Sequence, residues 1–120
     1  MTRSRGFGSY LRHQREQRRG KDAAFSVRQV AARVGIEPSY LSKIERGEQP
    51  PPSEETIAAI ARELDEDTDV LLALAGKVSS DLQAIIRKRP ALFAQLIREL
   101  RHLPDHAVLR VVREVRDGEW

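Results

Sequence analysis

Residues 26–47 read SVRQVAARVGIEPSYLSKIERG. Ser26 precedes an apolar series and Gln29 follows three residues later, the capping-box arrangement that opens a helix. Val27, Val30, Ala31 and Val34 then fall at i, i+3, i+4 and i+7, one helical face. Gly35 ends that helix by permitting a left-handed backbone. After only Ile36 and Glu37, Pro38 stands where a second helix would begin, at a position whose N–H has no helical partner to lose. Leu41 and Ile44 form the inner face of this helix and Gly47 closes it. Ala31 is small where two helices so connected must cross. The pattern is helix, tight turn, helix. With Ile36, Leu41 and Ile44 turned inward, Ser39, Tyr40, Ser42, Lys43 and Arg46 are left facing outward. A short helix held in this way can enter the major groove of DNA, N-terminus first.

The flanking segments also read as helices. A first helix is predicted from about Phe7 to Arg18, with Phe7, Tyr10, Leu11 and the stem of Gln14 inward, and Gly20 suits its C-terminal cap. Downstream, Pro50-Pro51-Pro52 forces an extended connector. Ser53 caps a fourth helix, with Glu54 and Glu55 favourably placed in its first turn and Ile57, Ile60, Ala61 and Leu64 on its buried face. A fifth runs from about Asp67 to Ala75 and closes at Gly76. Three more are predicted at about Ser80–Lys88, Pro90–Arg101 and Pro104–Arg116. No segment alternates with period two between turn signals, so the expected class is all-α.

The 120 residues suffice for one small domain with an appendage. The absence of cysteine removes disulfides, cysteine-ligated zinc, iron–sulfur clusters and thiol nucleophiles. No apolar run approaches the roughly 20 residues that span a bilayer, and the N-terminus leads into no signal core, so a cytoplasmic protein is expected. Charge is unevenly distributed. Residues 1–50 hold 11 Lys/Arg against 5 Asp/Glu, and residues 51–120 hold 10 against 13. The N-terminal half is therefore the candidate polyanion-binding half.

Here the sequence resembles the XRE family, the helix-turn-helix regulators related to phage Cro and repressor proteins. The matching residues are Val30-Ala31, Val34-Gly35-Ile36, the run from Pro38 to Gly47, Pro51-Pro52-Ser53, and Leu11-Arg12 and Arg15-Glu16 in the first helix. The resemblance covers residues 7–76 and implies a five-helix, repressor-like DNA-binding domain. It implies base contacts from Ser39, Tyr40 and Lys43, and phosphate contacts from Ser42 and Arg46. Lysine can donate to guanine O6 and N7, serine can pair with several base edges, and tyrosine can meet a thymine methyl or a phosphate. Glu45 would be repelled by phosphates; the resemblance gives it an ion pair with Arg15. Two features depart from the family. Val27 stands where a phosphate-contacting glutamine is common, leaving Arg28 or Gln29 to compensate. The turn through Lys21-Asp22-Ala23-Ala24 is longer than usual, and Arg18, Arg19 and Lys21 in or near it are further phosphate candidates. Residues 1–6, with Arg3 and Arg5, are expected to form a flexible basic N-terminus.

Residues 77–120 read as a helical extension for dimerisation. Leu92, Phe93, Leu96, Ile97 and Leu100 form one apolar surface, and Val108, Val111, Val112 and Val115 another. That is more valine and leucine than so short a segment easily buries alone. Packing of these helices on each other or on the first domain, or capture of a partner protein, are the other readings. Trp120 either clamps such an interface or frays.

Other constellations lead nowhere. Asp65, Asp67 and Asp69 mimic the start of a calcium loop, but Val70 and Gly76 stand where glycine and glutamate are required. His102 and His106 have the four-residue spacing of helical zinc ligands, yet Leu103-Pro104 breaks the helix between them. No nucleophile–base set has recognisable context. The expected protein is not an enzyme, needs no metal or cofactor, and binds double-stranded DNA as a homodimeric regulator, a repressor on a near-palindromic operator. An antitoxin or defence-system regulator with a protein partner, and an adaptor that does not bind DNA, are the alternatives.

Overall fold

The computed structural model describes residues 6–120; Arg3 and Arg5 lie outside the described residues. Among the described residues eight α-helices follow one another: α1 Phe7–Arg19, α2 Val27–Val34, α3 Pro38–Glu45, α4 Glu54–Leu64, α5 Thr68–Leu74, α6 Ser80–Lys88, α7 Pro90–Leu100 and α8 Asp105–Asp117. A short 3-10 helix, Ala23–Phe25, lies between α1 and α2. There is no strand among the described residues, and no helix is long and apolar enough to cross a membrane. The chain is all-α.

It divides into two compact units, Met1–Ser79 and Ser80–Trp120. The boundary falls just past Gly76 because Lys77 is tied to the first unit. Its N–H donates to the Leu72 carbonyl at 2.8 Å and its ammonium to the Pro52 carbonyl at 3.0 Å.

One core holds the first unit together. Phe7 and Leu11 of α1, Val30 and Ala31 of α2, and Leu41 and Ile44 of α3 are buried with Ile57, Ile60, Ala61 and Leu64 of α4 and Leu71 and Leu72 of α5. Each helix therefore contributes the apolar face its spacing predicts. Caps set the boundaries. Ser26 Oγ accepts from the Gln29 N–H at 3.2 Å, Ser53 Oγ from the Thr56 N–H at 3.3 Å, and Asp67 Oδ1 from the N–H groups of Asp69 and Val70. Gly35 is left-handed, with φ 88°, and turns the chain from α2 into α3.

Several local expectations are corrected. The capping box at Ser26 is only half formed, because the Ser26 N–H donates to the Ala23 carbonyl instead of to a Gln29 side chain. The 3-10 helix that supplies this carbonyl absorbs the long turn, with Asp22 Oδ1 accepting from the Ala24 N–H. Gly20 has φ −58°, so the end of α1 does not use glycine's left-handed freedom. Asp65 does adopt a left-handed backbone, with φ 55°, at the end of α4. Pro104 is the residue before α8 and not its first turn.

In the second unit α6 packs against α7. None of residues 80–120 is buried.

Candidate nucleic-acid interface

The candidate interface is built around α3. Leu41 and Ile44 lie in the core, and Pro38 occupies the first turn. Glu45 is buried as well, and it meets Arg15 of α1. Arg15 Nε donates to Glu45 Oε2 at 2.7 Å and Nη2 to Glu45 Oε1 at 2.9 Å. The same guanidinium reaches Glu16 at 3.2 Å and the Phe25 carbonyl at 3.2 Å. Both side chains of the pair are almost wholly shielded, 3% and 4% exposed, so its two parallel charge-assisted bonds act with little screening. The Glu45 hydrogen bonds hold the Arg15 pKa above its ordinary value, against the opposing effect of burial.

The opposite side of α3 faces solvent. Ser39 and Lys43 are exposed, and the Lys43 ammonium makes no hydrogen bond or ion pair among the described residues. Tyr40 differs from the outward orientation read in the sequence: it is half-buried and packs against the core. Ser42 is half-buried too and accepts a hydrogen bond from Arg46 Nη1 at 2.7 Å. Arg46 is exposed but engaged with Glu48, which holds the carboxyl of Glu48 below its ordinary pKa and raises that of Arg46.

Arg28 and Gln29, in the first turn of α2, are exposed, as are Arg19, the last residue of α1, and Lys21 just past its end. Arg18 is turned elsewhere. Its Nη2 meets Glu66 at 3.5 Å and its Nη1 meets the carbonyl and side-chain oxygens of Gln14. Glu66 also accepts from the Tyr10 hydroxyl at 2.8 Å, which raises the Tyr10 pKa. The turn at Asp65 makes this possible, because the Glu66 N–H returns to the Ala61 carbonyl at 2.8 Å and fixes the chain there.

A shallow cleft runs beside the exposed face of α3, lined by Arg12, Arg15, Glu16, Val27, Ser42, Glu45 and Arg46. It brings Ser42 and Arg46 together with Val27, the residue at the usual glutamine position. It also includes Arg12, a solvent-facing cation that sequence reasoning did not single out. The available signal was its spacing: Arg12 lies three residues before Arg15 and so shares the side of α1 that faces α3.

In the second unit, Leu92, Leu96, Ile97, Val112 and Val115 are exposed, while Phe93, Val108 and Val111 are half-buried. His102 lies between α7 and α8, His106 lies in the first turn of α8, and both are exposed.

Comparisons with known proteins bear on the first unit. The profile of the helix-turn-helix domain family matches residues 7–74. Two curated relatives are named as HTH-type transcriptional regulators of Mycobacterium tuberculosis, one from strain CDC 1551 / Oshkosh and one from strain ATCC 25618 / H37Rv. Each is 41% identical over 69 residues, covering 58% of this chain and 45% of the relative, so the chain spans less than half the length of those proteins. No solved structure matches significantly. The matched segment takes in α1 to α5 and the whole XRE-like pattern around α3, and the chain belongs to the helix-turn-helix domain family.

Proposed function

We propose that this chain is a sequence-specific, double-stranded-DNA-binding transcriptional regulator that works as a homodimer and represses by occupying its operator. One observation carries the reading: α3 is pinned on one side by Leu41, Ile44 and Glu45 and offers an exposed Lys43 and Ser39 on the other. Rigid attachment behind and open donors in front are what base readout in a groove needs. Arg12, Arg19, Lys21, Arg28 and Gln29 supply exposed phosphate partners around it. The names of the two mycobacterial relatives support the same reading. Selection of binding sites from random duplexes with purified protein tests it. Lys43→Ala should then lose about 1–3 kcal/mol of discrimination at one base position, with thermal stability unchanged. An undiminished preference at every position would remove Lys43 from base readout.

Pairing is supported by the second unit. A 41-residue segment without one buried residue has no core of its own, and a second copy would supply the missing cover. Two-fold pairing would also present two α3 helices to half-sites about 34 Å apart. Leu92 and Ile97 are each 62% exposed on α7. Ile97→Glu should convert a sedimenting dimer to monomer and weaken operator binding at least tenfold, since an unpaired carboxylate would enter an apolar interface. A variant that still sediments as a dimer would place the interface elsewhere.

A further inference from the structure

We propose that Glu48 is a built-in competitor for Arg46, occupying the place that a DNA phosphate would take and thereby setting how tightly the interface grips duplex DNA. This rests on the DNA-binding reading above.

The backbone puts Glu48 there. Past the end of α3, Gly47 is left-handed with φ 76°. Its N–H donates to the Ile44 carbonyl at 3.0 Å and the Glu48 N–H donates to the Lys43 carbonyl at 2.8 Å. This double closure is the Schellman pattern, and it fixes Glu48 at the C-terminal end of α3 beside Arg46. Arg46 Nε donates to Glu48 Oε2 at 2.9 Å and Nη2 donates to Oε1 at 3.1 Å. Those two parallel bonds use the edge of the guanidinium that grips phosphate bidentately. The remaining terminal nitrogen, Nη1, is held by Ser42 Oγ at 2.7 Å. Arg46 is thus aimed by Ser42 along the cleft and closed by Glu48.

Exposure decides whether such a pair is a lock or a competitor. The Arg46 and Glu48 side chains are 44% and 54% exposed, so water and salt screen their attraction and the phosphates lining a groove can displace the carboxylate. The charge of Lys43 also draws the Glu48 carboxyl below its ordinary pKa, so the carboxylate lies within electrostatic reach of both cations of this face. It stays ionised at neutral pH and opposes DNA throughout.

The test is a fluorescence-anisotropy titration of the full chain with its selected duplex, at low and at moderate salt. Wild type, Glu48→Gln, Arg46→Ala and the double variant are compared. Glu48→Gln should bind roughly two- to fivefold more tightly at low salt, with a smaller gain at moderate salt. In the Arg46→Ala background the same substitution should give a clearly smaller gain, since only the general charge of Glu48 is then removed. Equal gains in both backgrounds would reduce the effect to net charge and overturn the proposal, as would no gain in either. Absence of duplex binding by the wild type would instead fell the DNA-binding reading, and this proposal with it. Circular-dichroism melting should match across all four proteins, since both side chains lie on the surface.

Discussion

Arg15→Ala should destabilise the first unit by about 3–5 kcal/mol, the range seen when one partner of a buried ion pair is removed. The variant strands the Glu45 carboxylate inside the unit with its two short bonds gone. It also releases the Phe25 carbonyl, so the 3-10 helix loses its side-chain hydrogen bond from Arg15 of α1. For a domain of this size such a loss lowers the midpoint of thermal unfolding by about 12 °C or more. Melting followed by helical ellipticity measures it, and a loss under about 1 kcal/mol would show that water or a rearranged neighbour compensates. Replacing both partners with apolar residues of similar volume, Arg15→Met with Glu45→Leu, should recover much of the stability. The comparison separates the burden of an orphaned charge from the net value of the pair, and only the first is large.

A comparable effect is expected from the smallest substitution available. Gly8 lies in the first turn of α1 where it crosses the end of α3. A Cβ there would overlap the Ile44 carbonyl oxygen and sit 2.9 Å from that of Glu45. These are backbone atoms, so no side-chain rotation relieves the contact. Alanine ordinarily favours a helix over glycine by about 1 kcal/mol. Overpacking against fixed atoms costs about 1–3 kcal/mol and sometimes more, so the clash decides the sign. Gly8→Ala should therefore lower stability by about 2–3 kcal/mol and weaken DNA binding, because α3 must shift to make room. Ellipticity melting and duplex titration together check it. A variant as stable as wild type would mean that the helices separate without penalty.

Much of this architecture was legible in the sequence, for a physical reason. Helix spacing, caps and turn glycines are local, and every helix of the first unit is short enough for local rules to dominate. Gly35 shows this: two residues remain before Pro38, so the turn had little freedom. What escaped sequence reading depends on distance in the chain. The Gly8 contact joins residues more than thirty positions apart. The partner of Arg18 is Glu66, reachable only after α4 has packed and Asp65 has turned left-handed. Tyr40 lies four residues before Ile44, a helical spacing that sets it beside the buried face rather than outward, and packing draws its ring halfway toward the core. The Arg15–Glu45 pairing was reached through family resemblance, since nothing in spacing alone joins positions thirty residues apart.

The indole of Trp120 is 90% exposed and its Nε1 donates to the Val115 carbonyl at 3.0 Å, folding the end of the chain back on α8. It is the sole tryptophan of the chain, so the protein carries its own optical reporter, and that reporter stands outside the unit that would touch DNA. Emission from it reads the surroundings of the exposed indole at the end of α8. A thermal scan by fluorescence therefore follows the tail, whereas one by ellipticity sums over the helices of both units, and a blue shift with rising protein concentration would mark association through the tail.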